Sequence, residues 1–235
     1  MRFLRNLLVT IVVLLVLLGV GVVATDGMLR DEVERRAAAQ IQKPAGFAQK
    51  PTVTVEGFPL AYFVLIQEIP AVRVQGDSLT AQVGSNTTVR LSAVDVTLHQ
   101  VRVQPRTVES EQVSGTAAVS YADLGAGLGL TASPAAAGLV TFTSEATVLG
   151  HKIPIHVTGR LAVDQAAQTV AMVDSAIDVG GVSVPSQVSK QVVAAMLKPV
   201  HLPLPYGLKL TDIDAGADGV TLHVSGANVS IPHSR

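Results

Sequence analysis

The stretch that decides the fold runs from Leu202 to Ile231 and reads LPLPYGLKLTDIDAGADGVTLHVSGANVSI. Apolar and polar residues alternate over 208–211 and again over 220–225, which is the period of two that half-buried strands show. The run Ala217-Asp218-Gly219 between them supplies turn chemistry, because Gly accepts a positive φ and Asp tolerates it. The sequence therefore predicts a C-terminal β-hairpin that closes a larger antiparallel sheet, with a further turn over 226–228 and a short last edge strand.

The middle of the chain is also rich in strand candidates. Val89, Leu91 and Ala93 alternate with polar residues, and the apolar positions then continue on the opposite parity from Val94. Such a phase shift is typical of a β-bulge or bend near Ala93, and long bent strands suit a curved sheet. The sequence therefore predicts an α+β fold in which a long curved antiparallel sheet wraps around one or two helices.

Two apolar stretches of this domain are predicted to be helical, Leu60–Gln67 and Pro185–Leu197. The first is apolar on nearly all sides, and the second carries one apolar stripe at helical spacing. Ser120, followed three residues later by Asp123, is typical of a capping box that opens another short helix. Burial in a packed core explains both apolar stretches. The alternative is that they line a cavity for an acyl chain, because core and cavity are equally apolar.

Residues 1–24 have the composition of a membrane-targeting segment, in which Arg2 and Arg5 precede an almost wholly apolar run over 7–24. At about 1.5 Å per residue, that run is just long enough to cross a bilayer as a helix. Its length favours a retained signal anchor over a cleaved signal peptide, although Val22-x-Ala24 suits cleavage. Because positive charges stay in the cytoplasm, we expect the rest of the chain to be extracytoplasmic, in a periplasm-like space.

Residues 25–50 are predicted to form a membrane-proximal helix and linker, ahead of a domain that spans 51–235. Apolar residues recur on one face of this helix, and a mixed run of acidic and basic residues covers the other. One interpretation places the helix on lipid headgroups through three arginines, Arg30, Arg35 and Arg36. The other is a solvated stalk, because charge runs usually face water.

Composition and motif spacing exclude several classes of protein. The 235 residues carry a net charge of -1 and no cysteine, so we expect no nucleic-acid partner, no disulfide and no thiol chemistry. The run Gly125–Gly129 lacks the preceding strand and the Gly-Lys-Ser/Thr of a phosphate loop. Asp212, Asp214 and Asp218 lack the bidentate Glu of a calcium loop, and the histidines are scattered. We therefore expect no enzyme activity, no catalytic residue, no cofactor and no metal.

Three stretches carry a family resemblance: Val53–Val74 with its GFP motif, Ser120–Leu124 (SYADL), and Leu204–Gly226 with the pattern LP-x-GL-x-L followed by DGV-x-L-x-V-x-G. With the apolar N-terminus, the chain resembles the actinobacterial LmeA-type phospholipid-binding proteins, the lipomannan elongation factor family. The resemblance implies a tubular lipid-binding-like fold and an extracytoplasmic phospholipid-binding protein that supports elongation or maintenance of envelope lipoglycan (lipomannan). The resemblance implies a phospholipid ligand, with a phosphatidylinositol type as one candidate, and we also expect the cytoplasmic membrane and an envelope glycosyltransferase as partners.

A rival function is a membrane-anchored interaction protein that stabilises an envelope glycosyltransferase without carrying lipid. A cavity with apolar walls favours lipid binding, whereas a fully packed core with an exposed apolar patch favours the rival. The two apolar helical stretches supply a hypothesis for the cavity, which six side chains are expected to line: Phe58, Phe63, Ile66, Val192, Met196 and Leu197.

Overall fold

The structure is a computed structural model, and it describes residues 26–39, 42, 47–59, 62–63, 66–83, 87–104, 107–148, 151–184, 199–201 and 204–232. Within these residues, helix α1 spans 26–39 and helix α2 spans Tyr121–Leu128. Most of the described chain is β-strand: β1 (Thr52–Glu56), β2 (Glu68–Val83), β3 (Thr87–Val103), β4 (Thr107–Ser120), β5 (Thr131–Pro134), β6 (Val140–Val148), β7 (His151–Asp164), β8 (Thr169–Val179), β9 (Val182–Ser183), β10 (Val200–His201), β11 (Lys209–Ala215) and β12 (Gly219–Pro232). The helices predicted over 7–24 and Pro185–Leu197 lie outside the described residues.

The strands form two antiparallel sheets. The first has the order β1-β2-β3-β4-β12-β11, and the second has the order β10-β8-β7-β6-β5, with β9 paired to β8. The predicted α+β fold with long antiparallel strands is confirmed, since β2, β3 and β4 contain 16, 17 and 14 residues. The sequence predicts one long sheet, whereas the structure divides the strands between two.

The C-terminal hairpin forms one side of the first sheet. β11 pairs with β12, and β12 pairs with β4 from Gly219 opposite Ser120 to Pro232 opposite Thr107. The turn predicted over 226–228 is wrong, because β12 continues through it in one register. Asn228 takes a φ of 51° without ending the strand, and the continuous ladder keeps the next residue, Val229, buried.

The bulge predicted near Ala93 is confirmed. Between Ser92 and Asp95 the register of β3 against β4 shifts by one residue, and Ala93 has a φ of 46°. An extra residue on one strand increases the local twist and bends the sheet. The two faces of the sheet also differ in polarity: Val74 and Val96 pair on one face, whereas their chain neighbours Arg73 and Asp95 lie on the other.

Side chains take the place of neighbouring strands at both edges of the first sheet. At β11, the Gln168 side chain accepts from the Leu210 N–H at 2.9 Å and donates to the Leu210 carbonyl at 3.4 Å. At β1, Glu34 accepts from the Val55 N–H at 2.8 Å, and Arg30 donates to the Val55 carbonyl. Backbone groups that are satisfied in this way are not free to pair with another strand.

The largest hydrophobic cluster joins the two sheets. Phe142 of β6 and Leu210 of β11 are 1% and 2% exposed, and Tyr121 of α2 belongs to the same cluster. A second cluster lies between α1 and the β1–β2 side of the first sheet. The two sheets therefore share one core, and α1 adds a smaller one at the opposite edge, where the candidate site is found.

Candidate functional site

Helix α1 packs on the first sheet through its apolar face. Leu29, Val33 and Ala38 belong to one hydrophobic cluster with Val53 and Val55 of β1, and Ala38 is 3% exposed. Burial of an apolar stripe is the usual source of helix stability in a folded domain. The helix is therefore part of the domain, and its charged face is left to solvent.

Hydrogen bonds from Arg30 connect the first turn of α1 to the end of β1. Its guanidinium donates to the carbonyl oxygens of Val55 and Gly57, and it pairs with Asp26 at 3.2 Å. The Arg30 side chain is 27% exposed. This arginine therefore positions the connection that follows β1, although contact with a lipid headgroup by Arg30 stays a prediction.

Arg35 and Arg36, the other two arginines expected at headgroups, lie on the exposed face of α1. Both pair with Glu32, Arg35 at 3.0 Å and Arg36 at 2.5 Å. The hydrogen bond and charge of Arg36, with a smaller effect of Arg35, hold the pKa of the Glu32 carboxyl below its ordinary value. Headgroup contact by this pair stays a prediction, and a phosphate would have to compete with Glu32 for both guanidinium groups.

In the β1–β2 connection (57–67, of which 57–59, 62–63 and 66–67 are described), Phe63 packs against a glycine. Gly57 has a φ of 116°, and a Cβ at this position would lie 2.7 Å from Cε2 of Phe63. Phe63 in turn meets Tyr62 edge to face, with ring centroids 5.4 Å apart. The Phe58–Pro59 peptide bond is cis. Glycine is therefore required at position 57 for two reasons. Its backbone conformation disfavours any side chain, and Phe63 occupies the space that a Cβ atom would need.

A cleft of about 150 Å³ lies beneath this connection. Its walls come from the connection, the start of β2 and the end of β3: Phe63, Ile66, Glu68, Ile69, Pro70, Gln100 and Arg102. Pro70 has no N–H to give to the ladder, and Gln100 opposite it has a φ of 51°. The ladder is interrupted at this pair, so the cleft forms at an irregular point of the β2–β3 pairing.

The rim of the cleft is ionic. Arg102 pairs with Glu68 at 2.8 Å and with Glu111 at 3.1 Å. The hydrogen bond to Glu68, followed by the charges of Glu68 and Glu111, raises the pKa of the Arg102 guanidinium. One cation is thus shared by two carboxylates beside the apolar side chains of the cleft, which suits a ligand with an apolar and a polar end.

The structure brings together part of the predicted apolar cavity. Phe63 and Ile66 line the cleft, Phe58 lies on the same connection and is 59% exposed, and Val192, Met196 and Leu197 lie outside the described residues. The hypothesis that these six residues line one lipid cavity therefore stays a prediction. Sequence reasoning missed the five other side chains of the cleft: Glu68, Ile69, Pro70, Gln100 and Arg102. Pro70 itself is the sequence signal for this irregularity, because a proline inside a strand marks an interrupted ladder.

A wider and shallower groove of about 450 Å³ crosses the polar face of the first sheet. Arg73 pairs with Asp95 there, and the Arg73 hydrogen bond is the main reason that the pKa of the Asp95 carboxyl is below its ordinary value. His223 lies 3.0 Å from Asp214. The charged groups of this face thus have partners within it, as a solvated sheet face does.

The SYADL stretch has a structural role. The Ser120 hydroxyl caps α2 by accepting from the Asp123 N–H at 3.1 Å, which confirms the predicted helix start. Tyr121 is 7% exposed, and its hydroxyl donates to the Gly216 carbonyl oxygen in the β11–β12 turn. Two of the stretches that carry the family resemblance therefore meet in the fold.

The described residues contain no cluster of His, Asp and Glu side chains that could hold a metal ion. Nor is any helix in that part of the chain long and apolar enough to cross a membrane. Among curated proteins and among solved structures, no significant match to this chain is found. A family model described as LmeA-like phospholipid-binding matches residues 24–225, which is most of the chain, and the protein therefore belongs to the LmeA-like phospholipid-binding family.

Proposed function

We propose that this protein is an extracytoplasmic phospholipid-binding protein that supports elongation or maintenance of envelope lipoglycan (lipomannan), and that the cleft is part of its lipid site. The observation that carries the proposal is the division of the cleft lining into apolar side chains, which include Ile66 and Ile69, and a charged rim around Arg102. A phospholipid has the same division, since an apolar chain is attached to a charged headgroup. Membership of a phospholipid-binding family supports the same ligand.

The volume of the cleft limits how much of a lipid it holds. Pockets that enclose a whole small ligand usually measure about 300–1,000 Å³. The cleft measures about 150 Å³. It therefore accommodates the part of an acyl chain nearest the headgroup, and the rest of the chain extends beyond it.

The rim favours a headgroup that offers hydrogen-bond donors. Arg102 is already shared by Glu68 and Glu111, so the three groups together carry a net negative charge. A bare phosphate gains little from a cation that two carboxylates neutralise. The hydroxyl groups of a phosphatidylinositol-type headgroup can donate to these carboxylates, and such a lipid is our preferred ligand.

The proposed location is based on the N-terminal sequence. The apolar run over 7–24 follows Arg2 and Arg5, which favours an anchor with the domain on the outer side of the cytoplasmic membrane. An envelope glycosyltransferase is the proposed partner on that side. The rival, an interaction protein that stabilises the enzyme without carrying lipid, is favoured only by the exposed apolar side chains of the β1–β2 connection.

Photocrosslinking separates these two functions. We would place the full chain in nanodiscs that contain a photoactivatable phospholipid and map the crosslinks by mass spectrometry. Lipid binding predicts crosslinks at buried residues of the cleft, such as Ile69. Replacing Ile66 with Trp keeps the position apolar but fills the cleft, so these crosslinks should fall. Val182→Trp is the matched control, because Val182 is 69% exposed on the second sheet.

Crosslinks confined to residues 7–24 would contradict lipid binding by the domain. They would favour the rival function, an interaction protein that carries no lipid. The envelope role has its own readout in a host that lacks the protein. We expect the wild type and Val182→Trp to restore the length of lipomannan and Ile66→Trp to leave it short. Restoration by Ile66→Trp would separate the envelope role from the cleft.

A further inference from the structure

Large apolar side chains are exposed along the β1–β2 connection. Phe58, Tyr62 and Ile66 recur at every fourth residue and are 59%, 55% and 41% exposed. Val103, at the end of β3, is 40% exposed, and its N–H donates to the Gln67 carbonyl at 3.1 Å. Val103 therefore lies opposite Gln67, the residue that follows Ile66 in the chain. We call these four residues, Phe58, Tyr62, Ile66 and Val103, the apolar tip.

The start of α1 lies at the same end of the domain. Arg30 donates to the carbonyl of Gly57, which precedes Phe58 in the chain. Met28, in the same helical turn as Arg30, is 78% exposed. Asp26 opens this turn, and only Thr25 separates it from the apolar run over 7–24. A bilayer that receives this run is thus brought next to the apolar tip.

The charges around the tip do not favour an anionic surface. In the described part of this end of the sheet, Arg102 is outnumbered by acidic residues, which are Glu56, Glu68, Glu109 and Glu111. Arg30 is paired with Asp26. Attraction to the tip therefore has to come from apolar contact, for which aromatic side chains at the level of the headgroups are well suited.

We propose that the apolar tip inserts into the surface of a phospholipid bilayer and so opens the cleft directly onto lipid. The inference rests on the proposed lipid-binding function and adds the surface through which the ligand arrives. Ile66 belongs both to the exposed tip and to the lining of the cleft. An acyl chain that leaves the bilayer at the tip can therefore enter the cleft without crossing water.

Spin labelling of the full chain in zwitterionic phosphatidylcholine vesicles tests the insertion. The chain contains no cysteine, so Phe58→Cys or Tyr62→Cys carries a single nitroxide label. We expect these labels to collide with oxygen and to be shielded severalfold from a water-soluble nickel chelate. Val182→Cys is the control, since this exposed residue belongs to the second sheet. Equal exposure of the labels at 62 and 182 to the chelate would overturn the proposal.

Two further measurements on the spin-labelled chain also test the membrane insertion. Broadening of the Tyr62→Cys spectrum by a label on a second molecule would show that another copy of the chain covers the tip, which overturns membrane insertion. High salt should leave the label in the bilayer, because the surrounding charges are mostly acidic. Return of the label to water in high salt would show electrostatic docking instead.

Failure of docking and failure of the lipid site give different patterns. Replacing Phe58 and Tyr62 together with Ser should slow uptake of phospholipid from vesicles by roughly tenfold or more, since two large apolar side chains are lost. Crosslinks at Ile69 should persist in that variant once lipid has been loaded from detergent. If the label at 62 lies inside the bilayer but the wild type gives no lipid crosslinks, the proposed lipid site is refuted and membrane docking is not. Unchanged uptake in the double variant would refute docking alone.

Discussion

The hydroxyl of Tyr121 donates a hydrogen bond to the carbonyl oxygen of Gly216 at a distance of 2.6 Å. The bond joins the first residue of α2 to the turn between β11 and β12, 95 residues further along the chain. Tyr121 is 7% exposed and packs in the cluster that joins the two sheets. The bond therefore fixes the C-terminal hairpin against the rest of the core.

Tyr121→Phe should lower the free energy of unfolding by about 1–2 kcal/mol, because the Gly216 carbonyl loses its buried donor while the ring stays in place. Chemical denaturation followed by circular dichroism measures the change. Tyr62→Phe is the control: Tyr62 is 55% exposed, and we expect a change within about 0.5 kcal/mol. Equal stability of Tyr121→Phe and the wild type would show that water replaces the bond.

Alkaline pH should weaken the same contact. Burial raises the pKa of the Tyr121 hydroxyl above its ordinary value of 10.0. The unfolded chain then releases this proton at a lower pH than the folded chain. The stability is present in full below the unfolded pKa and is lost as pH rises through the folded pKa. As pH rises above 10.0, we expect the unfolding free energy of the wild type to fall more steeply than that of Tyr121→Phe. Parallel curves would contradict this.

Local patterns predict the elements that local chemistry determines. The alternation over 220–225 predicts β12, the phase shift at Ala93 predicts the bulge, and Ser120 predicts the start of α2. Division into two sheets depends on contacts that no local pattern reveals. Gln168 completes the hydrogen bonds of Leu210 from 42 residues away, and a glutamine at a turn looks like any polar surface residue.

The cleft is predicted only in part for the same reason. The sequence predicts Phe63 and Ile66 because both lie in a stretch that is apolar and is expected to be helical. Arg102 and Gln100 reach the cleft through the pairing of β2 with β3, and their positions follow from the register rather than from their own surroundings in the chain. An irregular pair such as Pro70 and Gln100 can be located only once that register is known.

Gly57→Ala should damage the cleft as well as the fold. The new Cβ would lie 2.7 Å from Cε2 of Phe63, and the φ of 116° is strained for any other residue. Gly129→Ala is a matched control, because Gly129 has a φ of 68° but nothing within 4 Å of the Cβ position. We expect a loss of about 1 kcal/mol for the control from backbone strain alone. Gly57→Ala should lose about 1–3 kcal/mol more, because Phe63 is displaced and because a φ of 116° is more strained for alanine than a φ of 68°.

Lipid crosslinking at Ile69 provides a second readout of the same pair. It should fall in Gly57→Ala and persist in Gly129→Ala, since only the former displaces a side chain of the cleft. Equal losses of stability in the two variants, with equal crosslinking, would show that Phe63 moves aside without consequence.

Arg30→Gln should destabilise the domain by about 1–3 kcal/mol, because two backbone carbonyl oxygens, those of Val55 and Gly57, lose a charged donor. Asp26, 6% exposed, also loses its cationic partner. The unfolding free energy of Arg35→Gln is the comparison. Arg35 is 66% exposed, so its change should stay within about 0.5 kcal/mol. Similar values for the two variants would mean that Arg30 is dispensable for holding the β1–β2 connection.

Replacing Arg35 and Arg36 distinguishes headgroup binding by these arginines from membrane insertion of the apolar tip. If they bind headgroups, replacing both with Gln should weaken association with anionic vesicles at low salt by roughly 1 kcal/mol for each residue. If the apolar tip makes the membrane contact, we expect no such change in association. Glu32 already pairs with both arginines, and the exposed apolar side chains of the tip contact the bilayer instead. We expect a nitroxide at Tyr62 to remain in the bilayer in the double variant, at low and at high salt. Return of that label to water in the double variant alone would assign the membrane contact to the arginines and not to the tip.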